Sequence, residues 1–337
     1  MLWHTLPSDS NAFDHSFHYP TLQVGIMHGD FSGIRLQRFA PDYISHLGHA
    51  IALYGGMQID FLRRGRWSLG CDLQNGVAFF TEHYDYTTNR DNEVIGSVAT
   101  IYIGASIQTR FRIAPQWSAG LSADFRHCSN GHITRPNLGT NTISGSLSLA
   151  YDLTQAAADI QAPAPSEKEK FRPKVFVDLS AGVSLKSLLE EFMVDPSGNI
   201  KTYPVFTAAV APMVRYHRLH ASGLQFDFMY GQYIPRVRKL DAIRGHDGEY
   251  RYSPFIMGLA LKHGIYYRHF SAHAGAGIYL RHRTGHYTAT EESRLYQVLG
   301  LRYNIPATED RLYVGYNVKA HHLSKADCMQ FMIGYRL

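Results

Sequence analysis

The segment Asp124-Phe-Arg-His-Cys-Ser-Asn-Gly-His-Ile-Thr-Arg-Pro-Asn-Leu-Gly-Thr-Asn141 holds the residue types best suited to chemistry. On a β-strand, residues two apart project from the same face, so His127 and Ser129 place an imidazole beside a hydroxyl. That pair is the minimum apparatus for making a serine nucleophilic. Cys128 lies between them and projects the other way, which makes it a poor nucleophile here although thiols are the more reactive class. Asn141 opens the strand that follows, where its side chain can meet His127 across the hairpin and fix the ring. Asn130 and Asn137, with the backbone N–H groups near Gly131 and Gly139, are the donors available to an oxyanion. The same Asn and Gly residues also read as turn formers that accept positive φ. The His-x-Ser pattern has a faint echo in Ala320-His-His-Leu-Ser-Lys-Ala-Asp327, with His322 and Ser324 two apart and Asp327 as a carboxylate within reach.

The elements that position these residues are strands. Period-two alternation runs through Trp67–Leu73, Ala99–Ile113, Ser144–Tyr151, Leu224–Tyr230 and Leu312–Ala320, as a sheet with unlike faces requires. About fourteen such strands can be marked, several longer than the ~5–6 residues usual in globular sheets. Few segments have a sustained helical period, and Ser187–Met193 is the best candidate. With the N-terminus on the periplasmic side, the links at 61–65, 114–115, 219, 270 and 306–309 share one end and are short. Those at 29–46, 81–93, 129–140, 186–202, 236–251 and 284–292 share the other end and are longer and more polar. That asymmetry, with an alternating last strand Phe331–Leu337, predicts an all-β, antiparallel, up-and-down transmembrane β-barrel of about 12–14 strands. Residues 1–19 read as an N-terminal segment and 20–153 as the strands bearing the His-x-Ser-Asn motif. The Ala/Pro/charge-rich stretch in 154–172 reads as a linker or periplasmic turn, and 173–337 as a second set of barrel strands.

Composition narrows the functional classes. Charged residues are 18 % and the net charge of +5 comes without a long basic run, so nucleic-acid binding has no support. The longest run without Asp, Glu, Lys or Arg, Tyr43 to Ile59, falls short of the ~18 apolar residues of a membrane helix and contains two His and three Gly. A barrel escapes that test because its strands alternate. The chain opens Met1-Leu2-Trp3-His4 and turns polar at once; an exported protein needs a signal peptide, so the sequence reads as a mature chain. Cys71, Cys128 and Cys328 lack metal-ligand spacing, and no metal or cofactor is implied. The pairs His46/His49, His217/His220 and His282/His286 would diverge on strands and read as exposed or girdle histidines.

The segment His127-Cys-Ser-Asn-Gly131 with Pro136-Asn-Leu-Gly139, preceded by the amphipathic strand Trp117 to Arg126, resembles the lipid A 3-O-deacylase family of Gram-negative outer-membrane acyl hydrolases. The resemblance covers roughly residues 20–153. It implies an outer-membrane carboxylic ester hydrolase acting on lipid A or lipopolysaccharide in the outer leaflet, with His127 and Ser129 as base and nucleophile. The family's acidic residue aligns with Asn141, which can orient a histidine but cannot offset its charge. The chain is also about twice as long as the motif region needs. Two other classes remain open: a non-catalytic barrel, a pore or adhesion platform, that lost the acid; and a soluble lipid-binding β-protein, whose outward faces would be polar.

Overall fold

The computed structural model describes residues 1–5, 12–38, 44–153, 171–197, 200–322 and 325–337. The chain divides into two compact units, Met1–Asn130 with Asn137–Glu169, and Gly131–Pro136 with Lys170–Leu337. The stretch 154–170 and Ser324 lie outside the described residues.

The first unit is built on an antiparallel sheet. Its strands are β1 (Leu2–His4), β2 (Thr21–Asp30), β5 (His49–Arg64), β6 (Trp67–Phe80), β7 (Ala99–Ala114), β8 (Trp117–Ser129) and β9 (Thr140–Tyr151), in that order across the sheet. A short helix α1 (Ala12–Ser16) precedes β2, and a small ribbon of β3 (Arg35–Leu36) and β4 (Ser45–His46) follows it. One face is apolar and open: Leu121, Phe125, Ile143, Leu147 and Leu149 project from β8 and β9, with Leu147 86 % exposed. The opposite face is polar and bonded. Arg110 donates to Gln58 at 2.5 Å, and Gln23 bridges to Asp72. Asp124 accepts from Ser122 and Ser146, and Arg126 donates to Ser144 at 2.7 Å. Alternation in the sequence therefore becomes apolar-out and polar-in, the pattern of a sheet that meets lipid. The third class, with polar outward faces, is overturned by it.

The second unit is a closed barrel of β10 (Lys174–Ser187), β11 (Thr202–Arg215), β12 (His220–Gly231), β13 (Phe255–Tyr267), β14 (Phe270–Arg281), β15 (Leu295–Asn304), β16 (Leu312–His321) and β17 (Lys325–Arg336). Closure comes from β10, which pairs with β11 on one side and β17 on the other, so that Val183 stands opposite both Phe206 and Phe331. Its outward face carries Leu224, Phe226, Phe228, Leu261, Leu299 and Ile333. The inside is filled. Asp178, 1 % exposed, accepts from Arg302 at 2.9 Å and Arg336 at 3.1 Å. Above this cluster Lys319 lies over the Tyr296 ring at 3.8 Å, and Tyr296 donates to Asp227 at 2.6 Å. Eight strands enclose just enough room for side chains. Among the described residues this interior offers no open lumen, which removes the support for a pore in this unit.

The long strands number the expected fourteen, six in the first unit and eight in the second, but they do not share one barrel. The last eight close on themselves because β10 is paired on both edges. The expected helix appears as α2 (Leu189–Val194). Two more, α3 (Ile234–Ile243) and α4 (His286–Thr290), lie in connections read as irregular loops.

Candidate active site

β8 and β9 pair in a register that sets His127 opposite Asn141 and Phe125 opposite Ile143. On the other side β7 sets Ile103 opposite His127 and Ile101 opposite Ser129. Residues so paired share a face, so His127, Ser129 and Asn141 end the same apolar surface that Leu121, Phe125 and Leu147 begin. Asn141 Oδ1 accepts from His127 Nδ1 at 2.8 Å, and His127 Nε2 lies 3.0 Å from Ser129 Oγ. The first contact requires the proton on Nδ1, because an amide oxygen only accepts. Nε2 is then the bare nitrogen, and the Ser129 hydroxyl donates to it. Cys128 faces the other way and is buried beside Tyr102 and Ala78.

The chain between β8 and β9 fixes this arrangement from above. Gly139 has φ of +77°, a left-handed conformation that disfavours a side chain. A Cβ built there would stand 3.2 Å from His127 Cε1 and 3.2 Å from the Ser129 Cβ. Gly139 therefore lets the backbone pass directly against both side chains. Its N–H donates to the Val94 carbonyl at 3.0 Å, and the Leu138 N–H donates to Glu93 at 3.0 Å. Asn137 Oδ1 accepts the Asn130 N–H at 3.1 Å, and Asn130 Nδ2 donates to Ser97 at 3.2 Å. Of the groups read from the sequence as oxyanion donors, the Asn130 N–H, its Nδ2 and the Gly139 N–H have internal partners and brace the loop. Gly131, with φ of +61°, turns the chain out of β8 into the short segment that belongs to the second unit.

The structure brings His127, Ser129, Asn141 and Gly139 into contact, and binds Asn130 to Asn137. In the second unit Asp327 is buried and salt-bridged to Lys186 at 2.6 Å, while His322 is exposed. The histidine pairs depart from the sequence reading in two places. His217 sits in the turn before β12, so its ring comes within 5.5 Å of His220 although the two are three apart. His282 is not a girdle residue; its ring packs 4.2 Å from Tyr279 and its side chain is 8 % exposed. Its neighbour Glu292 lies ten residues on in the same connection, and His321 comes from the end of β16.

Comparison with known proteins adds a second line. Residues 33–150 match the family model described as lipid A 3-O-deacylase, and residues 175–337 match the one described as acyloxyacyl hydrolase, C-terminal domain. No curated protein matches the chain. Solved structures similar to it include a mutant porin of Rh. blastica, 8 % identical, covering 94 % of this chain and 100 % of the porin at a TM-score of 0.20. Others are the P. aeruginosa FpvA–pyoverdine complex (11 % identity, 94 % and 46 % coverage, TM-score 0.25) and the alcaligin outer-membrane receptor FauA of Bordetella pertussis (12 %, 95 % and 58 %, 0.26). At such TM-scores these likenesses carry no argument.

Proposed function

The chain belongs to the lipid A 3-O-deacylase family of outer-membrane β-barrels, and from that premise we propose that it hydrolyses an ester-linked acyl chain of lipid A with Ser129 as nucleophile. The observation that carries the reading is the continuous hydrogen-bonded chain Asn141–His127–Ser129 at the end of an apolar, lipid-facing surface.

Ser129 Oγ attacks the ester carbonyl as His127 Nε2 takes its proton, forming a C–O bond and an imidazolium. Asn141 Oδ1 holds the Nδ1–H and so keeps Nε2 turned to the serine. Collapse of the tetrahedral intermediate breaks the bond to the sugar oxygen, which leaves with the proton from His127. Water, deprotonated by His127, then releases the fatty acid from Ser129. The acyl chain would lie along Phe125, Ile143 and Leu147, which continue the same face toward the middle of the strands. The long connections 81–98 and 130–139 stand at the site's end of the sheet and the two-residue turns 65–66 and 115–116 at the other. Short turns belong on the periplasmic side of such barrels, which supports a site at the outer leaflet where lipid A resides.

Mass spectrometry of lipid A from cells carrying wild type or Ser129→Ala tests the proposal. Loss of one hydroxyacyl group in wild type only is the expected result. Unchanged lipid A in both strains, with the protein folded in the outer membrane, would leave the non-catalytic barrel as the reading.

A further inference from the structure

Inside the second unit, four side chains from three segments converge near the end of the barrel that bears α2, α3 and α4. His282 and Glu292 come from the connection between β14 and β15, His321 from the end of β16 and Asp327 from β17. One donor atom each from Glu292, His321 and Asp327 lie within 4.8 Å of one another. His282 Nε2 borders this group, 3.5 Å from Glu292 Oε2, and His321 Nε2 lies 4.0 Å from Asp327 Oδ2.

The protonation pattern shows what the cluster lacks. His321 Nδ1 is 3.2 Å from the Leu295 carbonyl, so that nitrogen donates to it and Nε2 is the one turned to the cluster. His321 is 2 % exposed, and among the described residues Nε2 has no hydrogen-bond partner. It faces carboxylate oxygens, which are themselves acceptors. A cation between Nε2 and these oxygens would make each of them a ligand. An imidazole whose second nitrogen donates to a backbone carbonyl is the usual arrangement for a metal-ligating histidine. The carboxylates are supported in the same way. Asp327 Oδ1 accepts from Lys186 at 2.6 Å and Oδ2 from Tyr279 at 3.1 Å, while Glu292 Oε2 accepts from Thr288 at 3.0 Å.

We propose that His282, Glu292, His321 and Asp327 form a structural site for a divalent transition metal of the zinc class. Two imidazole nitrogens with two carboxylates favour zinc-like ions over calcium or magnesium, which prefer all-oxygen shells. Tetrahedral coordination at ~2.1 Å sets neighbouring donors ~3.4 Å apart; the pair at 3.5 Å already meets this, and the other donors close in on the ion from as far as 4.8 Å apart, His282 from beyond that group. The ion ties the 282–294 connection to β16 and β17. This site is separate from the Ser129 site and does not depend on the deacylase reading.

The test uses the full chain, folded in detergent, stripped with chelator and titrated with Co2+ as a spectroscopic probe. One equivalent should bind with the visible d–d bands of a low-coordinate nitrogen/oxygen site, and Zn2+ should bleach them while raising the thermal midpoint. His321→Ala and Glu292→Gln should abolish the bands. Tyr279→Phe, which removes only a support of Asp327, should weaken binding about tenfold or more. A double change of His217 and His220 to Ala should leave the bands intact. Wild-type protein that shows neither bands nor a zinc-dependent midpoint overturns the proposal, since a proton or water then occupies the cluster. Bands that persist in folded His321→Ala overturn it equally, because the metal is then bound elsewhere.

Discussion

Replacing Asn141 by Asp should make the enzyme faster. In the wild type the contact at 2.8 Å orients the His127 ring but brings no charge to it. A carboxylate in the same place would face an imidazolium in the transition state, with charge centres about 4 Å apart. Coulomb attraction over that distance is ~1 kcal/mol in water and ~4 kcal/mol at an effective dielectric of 20. Asn141 is exposed at the end of its strand, so the lower part of the range applies, ~1–2 kcal/mol. At ~1.4 kcal/mol per decade this is a gain of about fivefold to thirtyfold. Asn141→Ala removes the acceptor altogether. A neutral hydrogen bond worth ~1 kcal/mol would have become a charge-assisted one worth ~1.5–3 kcal/mol, so the loss is about two- to thirtyfold. The assay is the initial rate of fatty-acid release from lipid A in mixed micelles, reported as kcat/KM, with circular dichroism to check the fold. The expected order is Asp above Asn above Ala. If Asn141→Ala matches wild type, Asn141 does not orient the base; if Asn141→Asp is no faster, the charge argument is wrong.

Gly139→Ala should cost more than tenfold in activity, since φ of +77° and a Cβ 3.2 Å from the His127 ring force either the loop or the ring to move; the same assay reads it, and near-wild-type activity would refute the close-approach argument. Leu147→Arg should destabilise the membrane-inserted protein by about 2–4 kcal/mol, the cost of a cation on a lipid face near mid-bilayer, measured by urea-dependent unfolding from vesicles; an effect below ~1 kcal/mol would mean this face does not meet lipid. Burial raises the Glu190 carboxyl above the usual glutamate range. An acid whose folded pKa is raised lowers stability as pH climbs from its unfolded value through its folded value, so Glu190→Gln should raise the thermal midpoint at pH 8 and lose that advantage below about pH 4.5. A midpoint difference that does not change with pH would sink that assignment.

How legible the molecule was depends on whether the information is local. Alternation is local, and all fourteen long strands stand where it put them, because side chains of opposite character at successive positions admit only one way to face lipid and interior. The pairing of β10 with β17 is not local: a barrel of eight and a larger one share the same alternation, and only the register of Asp178 through Ser184 against Gln330 through Arg336 distinguishes them. The His127–Ser129–Asn141 contacts were legible for the same reason as the strands, since a two-residue spacing and a hairpin fix both neighbours. The role of the Asn130 and Gly139 N–H groups was not, because their partners Asn137 and Val94 are supplied by loops. The cluster of His282, Glu292, His321 and Asp327 was not legible as a whole: the hairpin of β16 and β17 brings His321 near Asp327, but nothing in the spacing says that the 282–294 connection folds onto it.

The precision of the lipid-facing site is set on the opposite side of the sheet. A slip of one residue between β8 and β9 would carry His127 to the polar face and leave Cys128 outside. The apolar face resists such a slip, since one step along β9 Leu121, Ala123 and Phe125 would stand opposite Ser or Thr instead of Leu147, Gly145 and Ile143. The polar face resists it strongly. Asp124 binds Ser122 on its own strand and Ser146 on β9, and Arg126 reaches Ser144 at 2.7 Å while lying 3.5 Å from Asp124. A shift breaks both contacts that cross to β9, Asp124 with Ser146 and Arg126 with Ser144, inside a partly buried network where unpaired charge is expensive. Arg126→Leu should therefore lower activity without touching the site: it frees Asp124 and loosens the register that keeps His127 opposite Asn141. The matching measurement is kcat/KM beside amide exchange in β8 and β9. Faster exchange with lower kcat/KM supports the coupling, whereas lower activity with unchanged exchange would mean Arg126 acts by another route.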